Sequence, residues 1–286
     1  MPAVFARKFL LCLLIGLNGP ASIIFSQQKI TNTGLVHELS RDTAYTNRRA
    51  RIIARYQMAD PGKWGEYVNG MYTAFVAEGK EIALTFDACG GPKGSGYDQA
   101  MISYLRKEDI PATLFVSGRW IDANYQDFVS LAADTLFAIE NHGLNHKPCS
   151  LAGHSAYGIQ GTRSPVEAYD EVVVNAIKIR RITGRNPALY RSSTGFVDET
   201  AVKLAADAGI RMVSYTIISG DAVPDAPVDI LADYVIRHAK AGAIVIMHFN
   251  HPEWNGCEAL KKIVPALRAN GYRFVRLDRR KLIAKK

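Results

Sequence analysis

From residue 81 onward, short apolar runs alternate with longer amphipathic stretches. The short runs are rich in β-branched and aromatic residues and predict strands, whereas apolar residues spaced three and four apart predict helices. The predicted strands are residues 81–86, 112–116, 136–139, 188–190, 211–216, 243–247 and 273–276. The predicted helices are residues 97–107, 120–133, 165–183, 198–208, 228–241 and 256–270.

This repeated order of strand and helix predicts an α/β fold with a mostly parallel sheet and right-handed crossovers. Seven predicted strands favour closure into a barrel over an open sheet. Gly209, Gly242 and Gly271 stand just after predicted helices, where a left-handed cap residue is favoured. Residues 27–77 predict a helical extension, with a helix at 43–56, rather than a second domain. We expect its Trp and Tyr, at positions 64 and 67, to pack on the barrel.

The N-terminus has the layout of a secretory signal peptide. Arg7 and Lys8 precede an apolar run at 9–17, which is followed by a Gly-Pro break and small residues. We expect cleavage after Ser26, because the apolar run is too short to span a bilayer. The sequence therefore predicts an exported protein, periplasmic or secreted, with no stable membrane span after signal removal.

Composition and charge narrow the class of protein. A hydrophobic content of 48% is typical of a globular chain. The net charge of +8 is concentrated in the signal and in the tail at 279–286, and it is not interleaved with aromatic residues, so it does not indicate nucleic-acid binding. Beyond the signal, Cys89, Cys149 and Cys257 allow one internal disulfide at most, with small buried thiols as the alternative.

Six polar residues fall at or after the ends of predicted strands. Because parallel strands place their carboxyl ends at one edge of a sheet, these side chains are expected to converge there. They are Asp87, His142, His146, Arg191, Asp221 and His248.

His142 and His146 stand four residues apart and can face the same way on a helical turn, which would present two imidazoles to one zinc ion. This is not the helical metalloprotease motif, because Gly143 replaces the glutamate that must follow the first histidine. Such a pair is more often a pair of surface or core histidines. Its position at a strand end, after Glu140 and Asn141, favours a metal site.

Asp87 and His248 each end an apolar strand, so each is a polar group delivered to the rim by a buried element. A carboxylate there is costly unless it is used or paired, which favours a functional Asp87 over a loop cap. His248 suits a general acid, with a hydrogen-bonded core histidine as the alternative. Arg191 is placed to pair with Asp87 and keep it ionised, although a surface charge is the simpler reading.

Five short motifs occur in order at these strand ends, and together they resemble the polysaccharide deacetylase family of metal-dependent carbohydrate esterases. The resemblance covers residues 78–278 and implies a distorted (β/α)7 barrel and hydrolysis of a carbon–nitrogen bond other than a peptide bond. We expect 27–77 to be an extension and 279–286 a basic tail. The motifs are Thr85-Phe86-Asp87-Ala88, His142-Gly143-Leu144-Asn145-His146, Arg191-Ser192-Ser193-Thr194-Gly195, Gly220-Asp221-Ala222 and Val245-Ile246-Met247-His248.

The resemblance also implies a role for each residue. His142 and His146 would hold a divalent ion, zinc in the first place, with cobalt, nickel or manganese as alternatives. Asp87 would act as general base toward the attacking water, and His248 would protonate the departing amine. Arg191 would orient Asp87, and Asp221 would support His248. The backbone N–H near Thr194 would contribute to the oxyanion site.

Several positions depart from the family pattern. Ala88 stands where most members have a metal-binding aspartate, so only two of three expected protein ligands are assigned. Asp87, Cys89, His251 or water are the candidates to replace it. Gly143, Ser193 and Thr194 replace a hydroxyl residue and a Pro-aromatic pair that shape the site in the family.

The leading hypothesis is a deacetylase of an N-acetylated glycan, with peptidoglycan slightly favoured over chitin-like polymers because no further carbohydrate-binding module accompanies the domain. A catalytically silent sugar-binding protein on the same barrel is the alternative, since Ala88 weakens the expected metal site. An esterase, or an amidase of small cyclic amides, is a third hypothesis.

Overall fold

The computed structural model describes residues 29–285, so the predicted signal peptide and its cleavage site lie outside the described residues. The strands are β1 (Trp64–Gly65), β2 (Tyr72–Phe75), β3 (Glu81–Ala88), β4 (Ala112–Val116), β5 (Phe137–Asn141), β6 (Ser155–Ala156), β7 (Ile159–Gln160), β8 (Leu189–Tyr190), β9 (Val197–Asp198), β10 (Arg211–Met212), β11 (Ile217–Ile218), β12 (Ile244–His248), β13 (Arg273–Phe274) and β14 (Leu282–Ala284). The α-helices are α1 (Asn32–Leu39), α2 (Thr43–Tyr56), α3 (Gln99–Lys107), α4 (Gly118–Ala123), α5 (Tyr125–Ala133), α6 (Pro165–Thr183), α7 (Glu199–Asp207), α8 (Val228–His238) and α9 (Gly256–Ala269).

The central sheet is parallel and curls into an incomplete barrel. Its seven strands follow the order β10-β8-β5-β4-β3-β12-β11, and β13 pairs with the start of β3. One stretch of chain, 211–218, supplies both edges, because β10 pairs with β8 whereas β11 pairs with β12. The distorted (β/α)7-type barrel predicted from the sequence is thus confirmed.

Strand β3 runs through the middle of this sheet and is buried at all eight positions. Ile82, Leu84 and Phe86 pack in the core between the sheet and the outer helices, whereas Ala83 packs in the barrel interior. Because side chains alternate along a strand, Asp87 continues the interior set and emerges at the carboxyl end of the barrel.

The predicted strand at 211–216 is wrong in extent. The Val213 N–H still donates to the Tyr190 carbonyl of β8 while Val213 also bridges to Tyr72, and the Thr216 N–H then donates to the Ile244 carbonyl beside β12. The chain therefore changes partners in the middle of the predicted strand, which an apolar pattern does not reveal. The predicted helix at 120–133 is likewise two helices, interrupted at Asn124, whose side chain donates to the Ser95 carbonyl.

The N-terminal extension and the C-terminal tail contain short strands that periodicity did not predict. β2 pairs antiparallel with β14, so the tail is tied to the extension, and β1 pairs with β9. Runs of two to four residues carry too little periodicity for recognition. Trp64 packs 5.6 Å from the Phe196 ring, and Tyr67 packs edge-on against Tyr215 at 5.7 Å, as expected for an extension lying on the barrel.

Two further expectations concern cysteines and membranes. Cys89, Cys149 and Cys257 are all free thiols, so the structure contains no disulfide among them; Cys149 and Cys257 are buried, whereas Cys89 is half-buried. Within residues 29–285, no helix combines the length and apolarity needed to cross a bilayer.

Candidate active site

The carboxyl end of the barrel opens into a cleft of about 460 Å³. Five of the six residues predicted from strand ends line this cleft, and Arg191 lies buried behind one of them. The side chains expected to converge from the strand ends therefore lie together in the structure. The predicted residues in its wall are Asp87, His142, His146, Asp221 and His248.

Asp87 is held by Arg191 in a buried ion pair. Nη1 of Arg191 donates to Oδ1 of Asp87 at 2.7 Å, and both side chains are almost completely excluded from solvent. The guanidinium also lies 4.2 Å from the centroid of the Phe115 ring. The carboxylate that is the candidate general base is therefore held directly against a cation.

His248 is the cross-strand neighbour of Asp87, on β12, and is held by Asp221. Its backbone N–H donates to Oδ2 of Asp221 at 2.7 Å, and Nδ1 lies 3.0 Å from Oδ1. Burial acts to lower the pKa of His248, but the charge and hydrogen bond of Asp221 outweigh it, so the pKa is raised. The hydrogen bond at Nδ1 leaves Nε2 available as a proton donor to a ligand in the cleft.

His142 and His146 face each other with ring centroids 5.0 Å apart, but they do so on a loop and not on a helical turn. Gly143 adopts φ 88° and His146 φ 56°, both outside the right-handed helical region. Glu171 shapes this loop by accepting the N–H groups of Asn145 and Lys147, each at 3.0 Å. A Cβ at position 143 would collide with the Glu171 carboxylate, which explains why glycine replaces the hydroxyl residue of the family pattern.

The hydrogen bonding of the two rings leaves a nitrogen of each free to bind a metal. Nδ1 of His142 lies 2.9 Å from the Arg191 carbonyl, which can only accept, so Nδ1 carries the proton and Nε2 carries the lone pair. Nε2 of His146 is buried and has no partner among the described residues. Burial lowers the pKa of both imidazoles, which favours the neutral form that coordinates metals.

A donor set of three residues fits a divalent ion here. The ligand atoms of Cys89, His142 and His146 all lie within 4.8 Å of one another. Nitrogen and sulfur donors suit zinc and its neighbours in the first transition row. Burial, together with the charges of Asp87 and Asp221, raises the pKa of the Cys89 thiol well above its ordinary value.

His251, a candidate for the missing ligand, is engaged elsewhere. Its Nδ1 lies 2.7 Å from Oε1 of Glu253, and its ring stacks on Trp254 at 3.5 Å. Thr194 lines the cleft in a left-handed conformation, φ 66°, and its buried hydroxyl has no partner within the described part of the chain. Its contribution to an oxyanion site stays a prediction.

Sequence reasoning missed Glu171 and the outer wall of the cleft. Glu171 falls on the buried face of α6, between Ala168 and Val172, and a carboxylate among such apolar neighbours is a usable signal. Tyr157 and Trp254 line the cleft from loops, where no pattern identifies them.

Comparison with known proteins agrees with this geometry. Residues 76–213 match the family model described as polysaccharide deacetylase. Residues 76–213 form a polysaccharide deacetylase domain. The family and the enzyme class expected from the sequence are thereby confirmed. The matched segment ends before Asp221 and His248, so these two residues rest on the fold and the contacts described above.

One curated relative is a peptidoglycan-N-acetylglucosamine deacetylase of Bacillus cereus. It is 27% identical over 198 residues, and the match covers 68% of this chain and 85% of the relative. An acetyl xylan esterase from Clostridium thermocellum, solved with a cobalt ion, is 24% identical with a TM-score of 0.57, covering 70% of this chain and 89% of the other.

A third similar structure is a pseudoenzyme of carbohydrate esterase family 4 from Bacillus anthracis. It is 24% identical with a TM-score of 0.60, covering 72% of this chain and 66% of the other. A mutant of that protein, described as having restored enzymatic activity, aligns with the same TM-score. The fold therefore occurs both in active enzymes and in a catalytically silent protein.

Proposed function

We propose that this protein removes acetyl groups from an N-acetylated glycan by metal-dependent hydrolysis. The observation that carries the proposal is the juxtaposition of Asp87 and His248, adjacent across β3 and β12, beside the facing rings of His142 and His146. A base, an acid and a pair of neutral imidazoles in one cleft are the groups that amide hydrolysis at neutral pH requires.

Each group has a definite task in this mechanism. A divalent ion held by His142 and His146 would polarise the acetyl carbonyl and lower the pKa of a coordinated water. Asp87, held by Arg191, accepts the proton of the attacking water. Asp221 raises the pKa of His248 and so favours its charged form, which gives a proton to the departing amine.

Asp87 and His248 have partners of opposite charge. The guanidinium of Arg191 faces the first and the carboxylate of Asp221 faces the second, which suits the first to act as the base and the second as the acid. The Thr194 backbone N–H, on the loop after Arg191, is proposed to stabilise the negative charge that develops on the carbonyl oxygen.

The substrate class is proposed to be an envelope glycan, peptidoglycan first. The Bacillus cereus relative is named for peptidoglycan N-acetylglucosamine, and it supports an N-acetylated amino sugar as substrate. Tyr157 and Trp254 add broad ring surfaces to a cleft that also exposes Ile159, Ile218 and Val223 beside its titratable groups, as expected for a site that holds a sugar ring. Such a substrate agrees with the export predicted from the sequence.

A catalytically silent glycan-binding protein is the second candidate, favoured by Ala88 and by the pseudoenzyme of the same fold. Binding alone gives no reason to keep a buried Arg191–Asp87 pair beside the His248–Asp221 pair, because burying ionisable pairs is costly unless they are used. The acid–base pair therefore favours the enzyme.

Acetate release from peptidoglycan, chitooligosaccharides and acetylxylan distinguishes these functions, with the wild-type protein and Asp87→Asn compared on each substrate. The proposal expects release by the wild type from at least one N-acetylated glycan, and loss of release with retained glycan binding in the variant. Glycan binding by the wild type without acetate release would establish the silent alternative.

A further inference from the structure

Position 88, where the family pattern has a metal-binding aspartate, does not face the cleft. The Ala88 methyl group is fully buried and packs in the core between the sheet and the outer helices, in the same set as Leu84 and Phe86. Strand alternation places Asp87 on the opposite side, toward the cleft, and directs the residue after Ala88 to that side again. The next residue is Cys89.

Cys89 lines the cleft and faces the histidine pair. Its Sγ lies 3.9 Å from Nε2 of His142, and all three donor atoms of Cys89, His142 and His146 lie within 4.8 Å of one another. Donor atoms on one tetrahedral zinc ion, with Zn–S of about 2.3 Å and Zn–N of about 2.0 Å, are about 3.5 Å apart. A small inward movement of the side chains brings the three donors to that separation.

The backbone at Ala88 and Cys89 is held by Ser117, the residue after β4. Ser117 Oγ donates to the Cys89 carbonyl at 2.5 Å, and the Ser117 N–H donates to the Ala88 carbonyl at 3.1 Å. A ligand whose main chain is fixed by neighbouring strands loses little conformational freedom when it binds an ion.

The two histidines turn Nε2 toward the same small space, where Nε2 of His142 faces the Cys89 thiol at 3.9 Å. Nε2 of His142 bears a lone pair because Nδ1 donates to the Arg191 carbonyl, and Nε2 of His146 is buried without a partner in residues 29–285. Buried polar atoms are normally satisfied, so an unpaired nitrogen aimed at a neighbouring thiol and imidazole indicates a ligand between them.

We propose that the thiolate of Cys89 is the third protein ligand of the metal, completing a set of one sulfur and two nitrogens with His142 and His146. This inference rests on the proposed metal-dependent function. Binding releases the thiol proton to solvent, and the sulfur forms the bond to the ion. Asp87 keeps its contact with Arg191 and stays available as the base, a role it would lose if it filled the ligand gap itself.

A sulfur ligand changes which ions the site prefers. Thiolates favour zinc and cobalt over hard ions such as manganese and magnesium, which prefer oxygen donors. The site therefore differs from one completed by a carboxylate in metal preference and in sensitivity to oxidants and alkylating reagents.

Replacement of the metal by cobalt(II) tests the ligand directly, because a thiolate bound to cobalt(II) gives an intense near-ultraviolet charge-transfer band. The wild type and Cys257→Ala, a matched change at a cysteine in the outer core, should both bind one cobalt ion and show the band. Cys89→Ala should lose the band and bind the ion at least about tenfold more weakly. A second readout needs no variant: iodoacetamide should modify Cys89 in the metal-free protein and not in the cobalt-loaded one, as mapped by mass spectrometry.

Two results would overturn this proposal. They are a cobalt-loaded wild type without the band, and a band of full intensity in Cys89→Ala. A measurement of acetate release separates failure of the Cys89 ligand from failure of the proposed function. Metal-dependent acetate release without a thiolate band would refute Cys89 as a ligand and leave the deacetylase proposal in place. A thiolate band in a protein that releases no acetate from any glycan would support Cys89 as a ligand and refute the proposed deacetylase activity.

Discussion

The carbonyl oxygen of Arg191 accepts a hydrogen bond from Nδ1 of His142 at 2.9 Å, while the guanidinium of the same residue holds Asp87 at 2.7 Å. One buried arginine thus orients the imidazole that faces the proposed ion and fixes the carboxylate that acts on water. The backbone of Arg191 contacts His142 and its side chain contacts Asp87. A substitution at position 191 therefore removes the contact with Asp87 and leaves the carbonyl that holds His142.

Arg191→Met is expected to destabilise the protein by about 3–5 kcal/mol, because it leaves the Asp87 carboxylate buried without its cation. Asp87→Asn combined with Arg191→Met should recover much of this loss, since the buried charge is then gone. Urea unfolding of the wild type, both single variants and the double variant measures the coupling. Additive effects of the two changes would contradict the ion pair described above.

Asp221→Asn is expected to shift the alkaline limb of the rate profile to lower pH. Activity requires protonated His248, whose pKa Asp221 raises, so activity is lost as pH rises through that pKa. Without the carboxylate, the loss begins at lower pH and the maximal rate falls. The pH dependence of kcat/KM should be compared with that of Asp229→Asn, which changes an exposed carboxylate on α8. An unchanged alkaline limb would show that His248 is not the acid.

Glu171→Ala is expected to weaken metal binding by about 10–100-fold, as do other losses of groups that support metal ligands. Glu171 contacts the backbone of Asn145 and Lys147, on either side of His146, and holds the loop that presents that ring. Glu167→Ala, one turn earlier on α6, is the matched control, and competition with a chromophoric chelator gives both affinities. Equal affinities in the two variants would mean that the loop keeps its shape without Glu171.

Glu140→Gln tests a buried carboxyl away from the cleft. Burial raises the pKa of Glu140 to about 8, and its Oε2 accepts the Leu189 N–H at 2.7 Å. A carboxyl with a raised folded-state pKa contributes stability below its unfolded value of 4.5, and this stability is lost as pH rises to about 8. The free energy of unfolding of the wild type should therefore fall by up to about 5 kcal/mol between these pH values. The fall should be smaller in Glu140→Gln, which lacks this titrating group.

Urea unfolding of both proteins at pH 5 and pH 8.5 gives the difference. Parallel pH profiles for the wild type and Glu140→Gln would show that Glu140 titrates normally in the folded protein.

The sequence predicted the barrel and the convergence of the strand-end residues because both follow from periodicity. Asp87 and His248 end two apolar strands, and parallel pairing makes them neighbours without any knowledge of loops. The transfer of the chain from β8 to β12 at Val213 could not be predicted in this way, because it depends on a bridge to Tyr72 from the distant extension.

The conformation of the loop that carries His142 and His146 could not be predicted from the sequence either. A spacing of four residues between His142 and His146 suits a helical turn, yet the observed loop is shaped by Glu171 from α6. Cys89 was one of several candidates for the missing ligand, and only the separation of its sulfur from the two rings singled it out. Tertiary contacts of this kind leave no local pattern.

The central claim is metal-dependent deacetylation in which Asp87 serves as the base. The most direct test measures acetate released from N-acetylated peptidoglycan by chelator-stripped protein as zinc is added back. We expect no release without metal, recovery complete at one zinc ion per chain, and no release from zinc-loaded Asp87→Asn. Release that persists in the stripped protein, or in zinc-loaded Asp87→Asn, would show that the reaction needs neither the metal nor the Asp87 carboxylate in the proposed role.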